Sequence, residues 1–175
     1  MSNDERYDHA KFVIERYDHY YDTVNNKGAF YIGLNTFLLG GLFAGFISLY
    51  DHVSKPFYVW VLLIAFAICS LFSSIITILA IHPYVDTSKR SAKRSLMFFG
   101  SVSQYERENF VETFLQQDDS GKLKDTVTQA WFLSRGLTLK FRRLKWAGYL
   151  IIAQFIILIP IIYCITKNLI THEHS

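Results

Sequence analysis

The sequence predicts an all-α fold: a multi-pass membrane protein with three transmembrane helices and a cytoplasmic helical bundle. Three observations predict it. Residues 30–50, 57–81 and 147–166 form three apolar runs without a single charge. At a rise of about 1.5 Å per residue, each is long enough to cross about 30 Å of hydrocarbon. The segments around them repeat their apolar residues at helical steps of three and four rather than alternating. Finally, Lys and Arg are distributed very unequally between the two sides that such runs define. With 51% of 175 residues hydrophobic, three wholly apolar helices are too many for a soluble core of this size.

Residues 1–29 are expected to form an amphipathic helix on the cytoplasmic side. Ala10, Val13, Tyr17, Tyr20 and Val24 make a heptad-like stripe. The opening "MSNDERYDHA" is acidic and polar and lacks the basic and apolar regions of a signal peptide, so insertion is expected through the spans themselves. "RYDH" occurs at 6–9 and again at 16–19. Ten residues turn a helix by about 280°, so His9 and His19 face different ways and no shared metal is predicted.

The first span, 30–50, carries Gly41 and Gly45 as a GxxxG pair, which permits another backbone to approach closely and predicts a homo-oligomer. "DHVSKP", residues 51–56, is a tight hairpin loop to the second span, 57–81. Polar residues inside the spans are uncharged. Asn35, Ser73 and Gln154, with Thr36, Ser70, Ser74 and Thr77, are expected to hydrogen-bond between helices. No acidic or basic residue lies in any span, so a proton relay or ion carrier is not predicted. Phe30, Tyr31, Tyr50, Tyr58, Trp60, Tyr84, Trp146 and Tyr149 sit where the chain enters or leaves lipid, as an interfacial belt does.

Residues 82–146 are expected to form a cytoplasmic helical region. "HPYVDTS" at 82–88 reads as irregular. "KRSAKRSLMFFGS" at 89–101 follows, and admits two readings. Lys89, Arg90, Lys93 and Arg94 can hold a phosphate beside the stacking faces of Phe98 and Phe99. Alternatively the four cations are the charged margin of the second span, and the two rings are buried in the helical bundle. A helix is expected over 103–117, with Tyr105, Phe110, Val111 and Phe114 as its apolar contacts, then a turn at "DDSG", 118–121. From about Lys124 a long helix begins, striped by Val127, Ala130, Ser134, Leu137, Phe141 and Leu144. Apart from Gly136 and Gly148 nothing breaks it, so one helix is expected to run into the third span, 147–166. Residues 167–175 are expected to be a tail outside, with its end, "THEHS", mobile.

Of the eighteen Lys and Arg residues, four lie in 1–29, one in the hairpin loop, twelve in 82–146 and one in the tail. The positive-inside bias therefore places the N-terminus and the long connection in the cytoplasm, and the C-terminus outside. A net charge of +3 does not argue for a nucleic-acid polymer as partner. There is no HExxH, GxSxG, P-loop or GxGxxG, so an enzyme is not predicted. Cys69 and Cys164 lie in apolar runs without CxxC or Cys/His spacing, and neither metal nor cofactor is expected.

The order of these features resembles the membrane-spanning Pycsar effector family, from the pyrimidine cyclase system for antiphage resistance in bacteria. The resemblance runs through "NNKGAFYIGLNTFLL", "AIHPYV", "SLMFFGSVSQYERENFVETF" and "FLSRGLTLKFRRLKWAGYLI". Its matching points are Lys27, Asn35, Pro83, Ser95, Phe98, Phe99, Gly100, Tyr105, Gln129, Leu133, Lys140 and Arg143. The resemblance implies an effector activated by a cyclic pyrimidine mononucleotide, cCMP or cUMP, made by a partner cyclase. It implies impairment of the bacterial inner membrane and abortive infection. Two other classes stand beside it: a constitutive holin-like pore-forming toxin, and a non-toxic membrane anchor for a partner protein.

Overall fold

The computed structural model describes residues 2–50, 57–82 and 95–173, with side chains described as far as Lys167. Among the described residues all regular structure is helical: α1 (Asn3–Ser48), α2 (Phe57–Ile81), α3 (Phe99–Val102), α4 (Arg107–Leu115) and α5 (Asp119–Glu173). Three of them, α1, α2 and α5, contain stretches long and apolar enough to cross a membrane. The chain divides into two compact units. One comprises Met1–Thr23 and His82–Leu139, the other Val24–Ile81 and Lys140–Ser175.

The second unit, the membrane unit, is built on three matching seams. On α2 the buried residues are Val59, Leu63, Phe66, Ser70, Ser73, Thr77 and Ala80, spaced alternately by four and three. On α5 Lys140, Leu144, Ala147, Ile151, Gln154 and Ile161 keep the same rhythm, and on α1 Val24, Asn35 and Phe46 share one face. Such spacing lets side chains of one helix enter the gaps of the next. At one end Phe46, Val59, Leu63 and Ile161 form an apolar cluster. Elsewhere the seams mix apolar residues such as Phe66, Ala147 and Ile151 with the polar Asn35, Ser70, Ser73, Thr77 and Gln154, while Ile64, Ile68, Leu71, Phe72 and Ile78 of α2 are exposed. Polar groups inside and apolar ones outside suit helices solvated by lipid, where packing and hydrogen bonds hold the bundle.

Small residues set how closely these helices meet. A Cβ on Gly28 would run into the Ile81 side chain, so α1 and α2 touch there only because Gly28 has none. On α5 the two glycines that sequence reading treats as weak points are docking places. The Tyr31 hydroxyl lies against Gly148, and in the other unit the Tyr21 hydroxyl lies against Gly136 and donates to the Leu133 carbonyl at 3.0 Å.

In the first unit the predicted stripe of α1 is the packed one: Ala10 is buried and Val13, Tyr17 and Tyr20 are half-buried. Lys122 of α5 places its ammonium 4.2 Å from the Tyr7 ring centroid, a cation–π contact. The amphipathic segment and the first span lie on the one helix α1. Several other expectations are corrected. The helix expected over 103–117 is α4, limited to Arg107–Leu115, and none of its residues is buried; Val111 and Phe114 are exposed. "DDSG" is a helix start and not a free turn. Asp118 accepts the Gly121 N–H at 2.9 Å through its carboxylate, so α5 begins at Asp119. Helix α5 also continues to Glu173, into the supposed mobile end of the tail.

The stripe expected along the first half of α5 holds in part. Leu137 and Leu144 are buried and Ala130 and Ser134 half-buried, but Val127 and Phe141 are exposed, and Thr126, Gln129 and Lys140 are buried beside the stripe. Each of these polar groups has a partner. Thr126 donates to the Lys122 carbonyl, Gln129 to the Ser95 hydroxyl, and Lys140 to the carbonyls of Ala80 and Ile81. Buried polar atoms are tolerated where hydrogen bonds replace water, and an apolar-stripe reading is blind to that compensation.

Candidate ligand cavity

The first unit has an open-mouthed cavity of about 510 Å³ between the stretch from Ser95 to Tyr105, the end of α4 and the first turns of α5. Its walls are fixed locally. The Ser95 hydroxyl accepts the N–H groups of Met97 and Phe98, both at 3.1 Å, and the Gln129 amide at 2.7 Å. The Leu96 N–H donates to the Asp125 carboxylate at 2.9 Å, and the Thr126 hydroxyl lies 3.2 Å from the Met97 sulfur. These contacts staple residues 95–97 to α5. The Asp118 cap fixes where α5 starts, and with it the position of Lys124.

The lining is mixed in a way that favours a small, flat, polar ligand. Gln116, Gln117 and Gln129 bring amides, Ser101, Thr113 and Thr128 hydroxyls, Tyr105 and Phe132 aromatic faces, and Lys124 a cation. Amides and hydroxyls can pair with the edge of a heterocycle, and rings can stack on its face. Two carboxylates, Asp118 and Asp125, also line the space, but both accept backbone N–H bonds. The volume lies within the usual range for small-molecule sites.

The residues singled out in the sequence are distributed as follows. Lys89, Arg90, Lys93 and Arg94 lie outside the described residues, as do Tyr84 and the hairpin loop. Phe98 is half-buried, its ring closed over Gly100. Phe99, the first residue of the short α3, is 68% exposed, against the reading that buries it in the bundle. Neither ring lines the cavity. Tyr105, Lys124 and Phe132, which do, were not among the candidate ligand residues. They are scattered over the turn before α4 and two faces of α5, so no local motif announces them.

In the membrane unit Asn35, Ser73 and Gln154 come together. Gln154 donates to the Asn35 side-chain carbonyl at 2.8 Å, Asn35 donates to the Ser73 hydroxyl at 3.0 Å, and Ser73 donates to the Ala147 carbonyl at 3.1 Å. Gly41 and Gly45 do not join this packing: a Cβ on either would meet nothing within 4 Å. A third constellation was not foreseen. Lys140 donates to Ala80 and Ile81 at 2.7 and 3.1 Å, and Arg143 to Leu79 at 2.6 Å. Two cations of α5 thus cap the final carbonyls of α2, where the helix dipole is negative.

A family model described as a Pycsar effector protein domain matches residues 9–167. The chain belongs to the Pycsar effector family. No curated protein and no solved structure among those compared matches it. Membership supports involvement in a Pycsar antiphage system, and the family is not a known catalytic one. The positions that carry the Pycsar effector resemblance have structural work in this chain. Ser95, Tyr105 and Gln129 line the cavity, Asn35 joins the polar layer, and Lys140 and Arg143 cap α2.

Proposed function

We propose that this Pycsar effector is a messenger-gated membrane effector. A partner cyclase makes cCMP or cUMP, the nucleotide enters the cavity beside α5, and the effector then impairs the bacterial inner membrane, producing abortive infection. The observation that carries this reading is the cavity's chemistry. Tyr105 and Phe132 offer faces for a pyrimidine, three glutamines offer edges, and Lys124 offers charge for the cyclic phosphate. Lys93 and Arg94 directly precede Ser95 in the sequence and supply further positive charge near it. The positive-inside bias puts this unit and the N-terminus in the cytoplasm, where a cyclase product accumulates, and the C-terminus outside.

Helix α5 gives the proposal a route. It carries Lys124 and Phe132 in its first turns, the cations Lys140 and Arg143 further on, and the third span beyond. A ligand that prefers one setting of α5 shifts that helix only by its differential affinity, and about 5.5 kcal/mol is needed to swing a 1:99 equilibrium to 99:1. Several sites in a homo-oligomer share that demand. The open face around Gly41 and Gly45 supports self-association.

Growth of cells expressing the chain with and without an active cyclase tests the reading. Tolerance alone and killing only with the cyclase are expected. Killing without the cyclase points instead to a holin-like pore, and tolerance under both conditions to an anchor.

A further inference from the structure

The polar layer of the membrane unit is incompletely satisfied. Gln154 is 0% exposed, and its amide nitrogen is bonded to Asn35. Its Oε1 is buried and has no hydrogen-bond partner among the described residues. The Asn35 amide donates to Ser73, and the Ser73 hydroxyl is committed to the Ala147 carbonyl. An orphaned acceptor in an apolar setting is costly, and a half-satisfied network is weaker than an apolar one of the same shape. At one end of the seams the packing is wholly apolar, as at Phe46, Leu63 and Ile161. The weakest section of this three-helix core is therefore also its most hydrophilic one, and an acceptor that lacks a donor gains most when water reaches it.

We infer that the Asn35–Ser73–Gln154 layer is the hydration gate of the membrane unit, the level at which water first enters the core when the helices part. The inference rests on the proposed membrane-impairing role, and it assigns to these three side chains the step between separated helices and a leaking bilayer. In the closed state they bind one another across α1, α2 and α5. In the open state the same groups turn to water, and the Gln154 oxygen acquires its missing donor.

The test uses the full chain in phosphatidylethanolamine–phosphatidylglycerol vesicles loaded with a small dye. Gln154→Ser, which breaks the layer and leaves room for water, is expected to raise basal dye release roughly tenfold without nucleotide. The double variant Asn35→Leu/Gln154→Leu replaces both partners with apolar groups. It is expected to be at least as tight as the parent, and to lose roughly tenfold of any release evoked by cCMP or cUMP while binding the nucleotide unchanged. Leu71→Ser, on the exposed face of α2, should behave as the parent. A purely structural layer predicts the opposite for the double variant, since losing the hydrogen bonds would loosen it.

The gate is overturned if Gln154→Ser vesicles stay as tight as the parent, or if the double variant still releases dye normally with nucleotide. Should Gln154→Ser not insert, Ser73→Cys in a chain without Cys69 and Cys164 decides the same question. During release its thiol must react faster with a membrane-impermeant methanethiosulfonate than at rest, and an unchanged rate rejects the gate. Parent vesicles that ignore both nucleotides defeat the messenger reading, whereas the basal release of Gln154→Ser still decides the gate.

Discussion

Lys140 sits on the buried face of α5 because its ammonium has carbonyls to reach. The last turn of α2 leaves its carbonyls without intrahelical donors, and Lys140 and Arg143 supply three hydrogen bonds to Leu79, Ala80 and Ile81. Replacing Lys140 with Met keeps the stem and removes the donors, so two carbonyls lose their cap. The expected loss is about 1–3 kcal/mol, seen as a lower melting temperature of the detergent-purified protein. Arg143→Met, whose bond is exposed, should cost less; an equal or greater loss there would contradict the capping account. A different residue sets a pH dependence. Burial, then Asp22, then Glu15 raise the Asp18 carboxyl above its ordinary value. A raised carboxylate destabilises the folded chain when ionised, and the penalty disappears as pH falls through the folded and then the unfolded pKa. Asp18→Asn should therefore stabilise at neutral pH, by an amount on the order of the 0.2–0.5 kcal/mol of a like-charge helix pair. The gain should shrink with falling pH and vanish below 3.8, the ordinary aspartate value, which melting curves across that range would show.

At the scale of helices, the glycines divide into two kinds. Gly28 has the Ile81 side chain where its Cβ would stand, while Gly33 and Gly45 have nothing within 4 Å. Gly28→Val should cost about 1–3 kcal/mol by overpacking α1 against α2. Gly33→Ala should be neutral or stabilising, because alanine favours a helix by about 1 kcal/mol over glycine. Thermal melts of both variants check the pair, and the reverse order would show that the helices meet differently. The same scale explains what could be read in advance. The spans were legible because long uncharged apolar runs have few alternatives, and the stripe through Ala10 and Val24 because it is apolar. The buried face of α5 was legible only in part, through Leu137 and Leu144. Thr126, Gln129 and Lys140 are buried through hydrogen bonds to partners 4 to 60 residues distant in the chain, and spacing alone carries no record of those. The start of α5 was missed because Asp118 acts as a cap within a string that also spells a turn.

For the molecule as a whole, α5 is the element shared by every functional argument. It lines the cavity, carries the cations that cap α2, and contains Gln154. Of the candidate ligand residues in "KRSAKRSLMFFGS", Phe98 and Phe99 do not line the cavity, and the four cations lie outside the described residues. Ser95 at the centre of that stretch lines the cavity, whereas Tyr105, Lys124 and Phe132 come from three other places along the chain. Their convergence is a property of the fold. The central claim is that a cyclic pyrimidine nucleotide binds there, and isothermal titration of the detergent-purified full chain tests it most directly. Saturable binding of cCMP or cUMP is predicted, weakened roughly tenfold or more by Phe132→Ala, since base stacking is worth about 1–3 kcal/mol, and also weakened by Lys124→Met. Binding of neither nucleotide, or binding that both variants leave unchanged, would contradict the account.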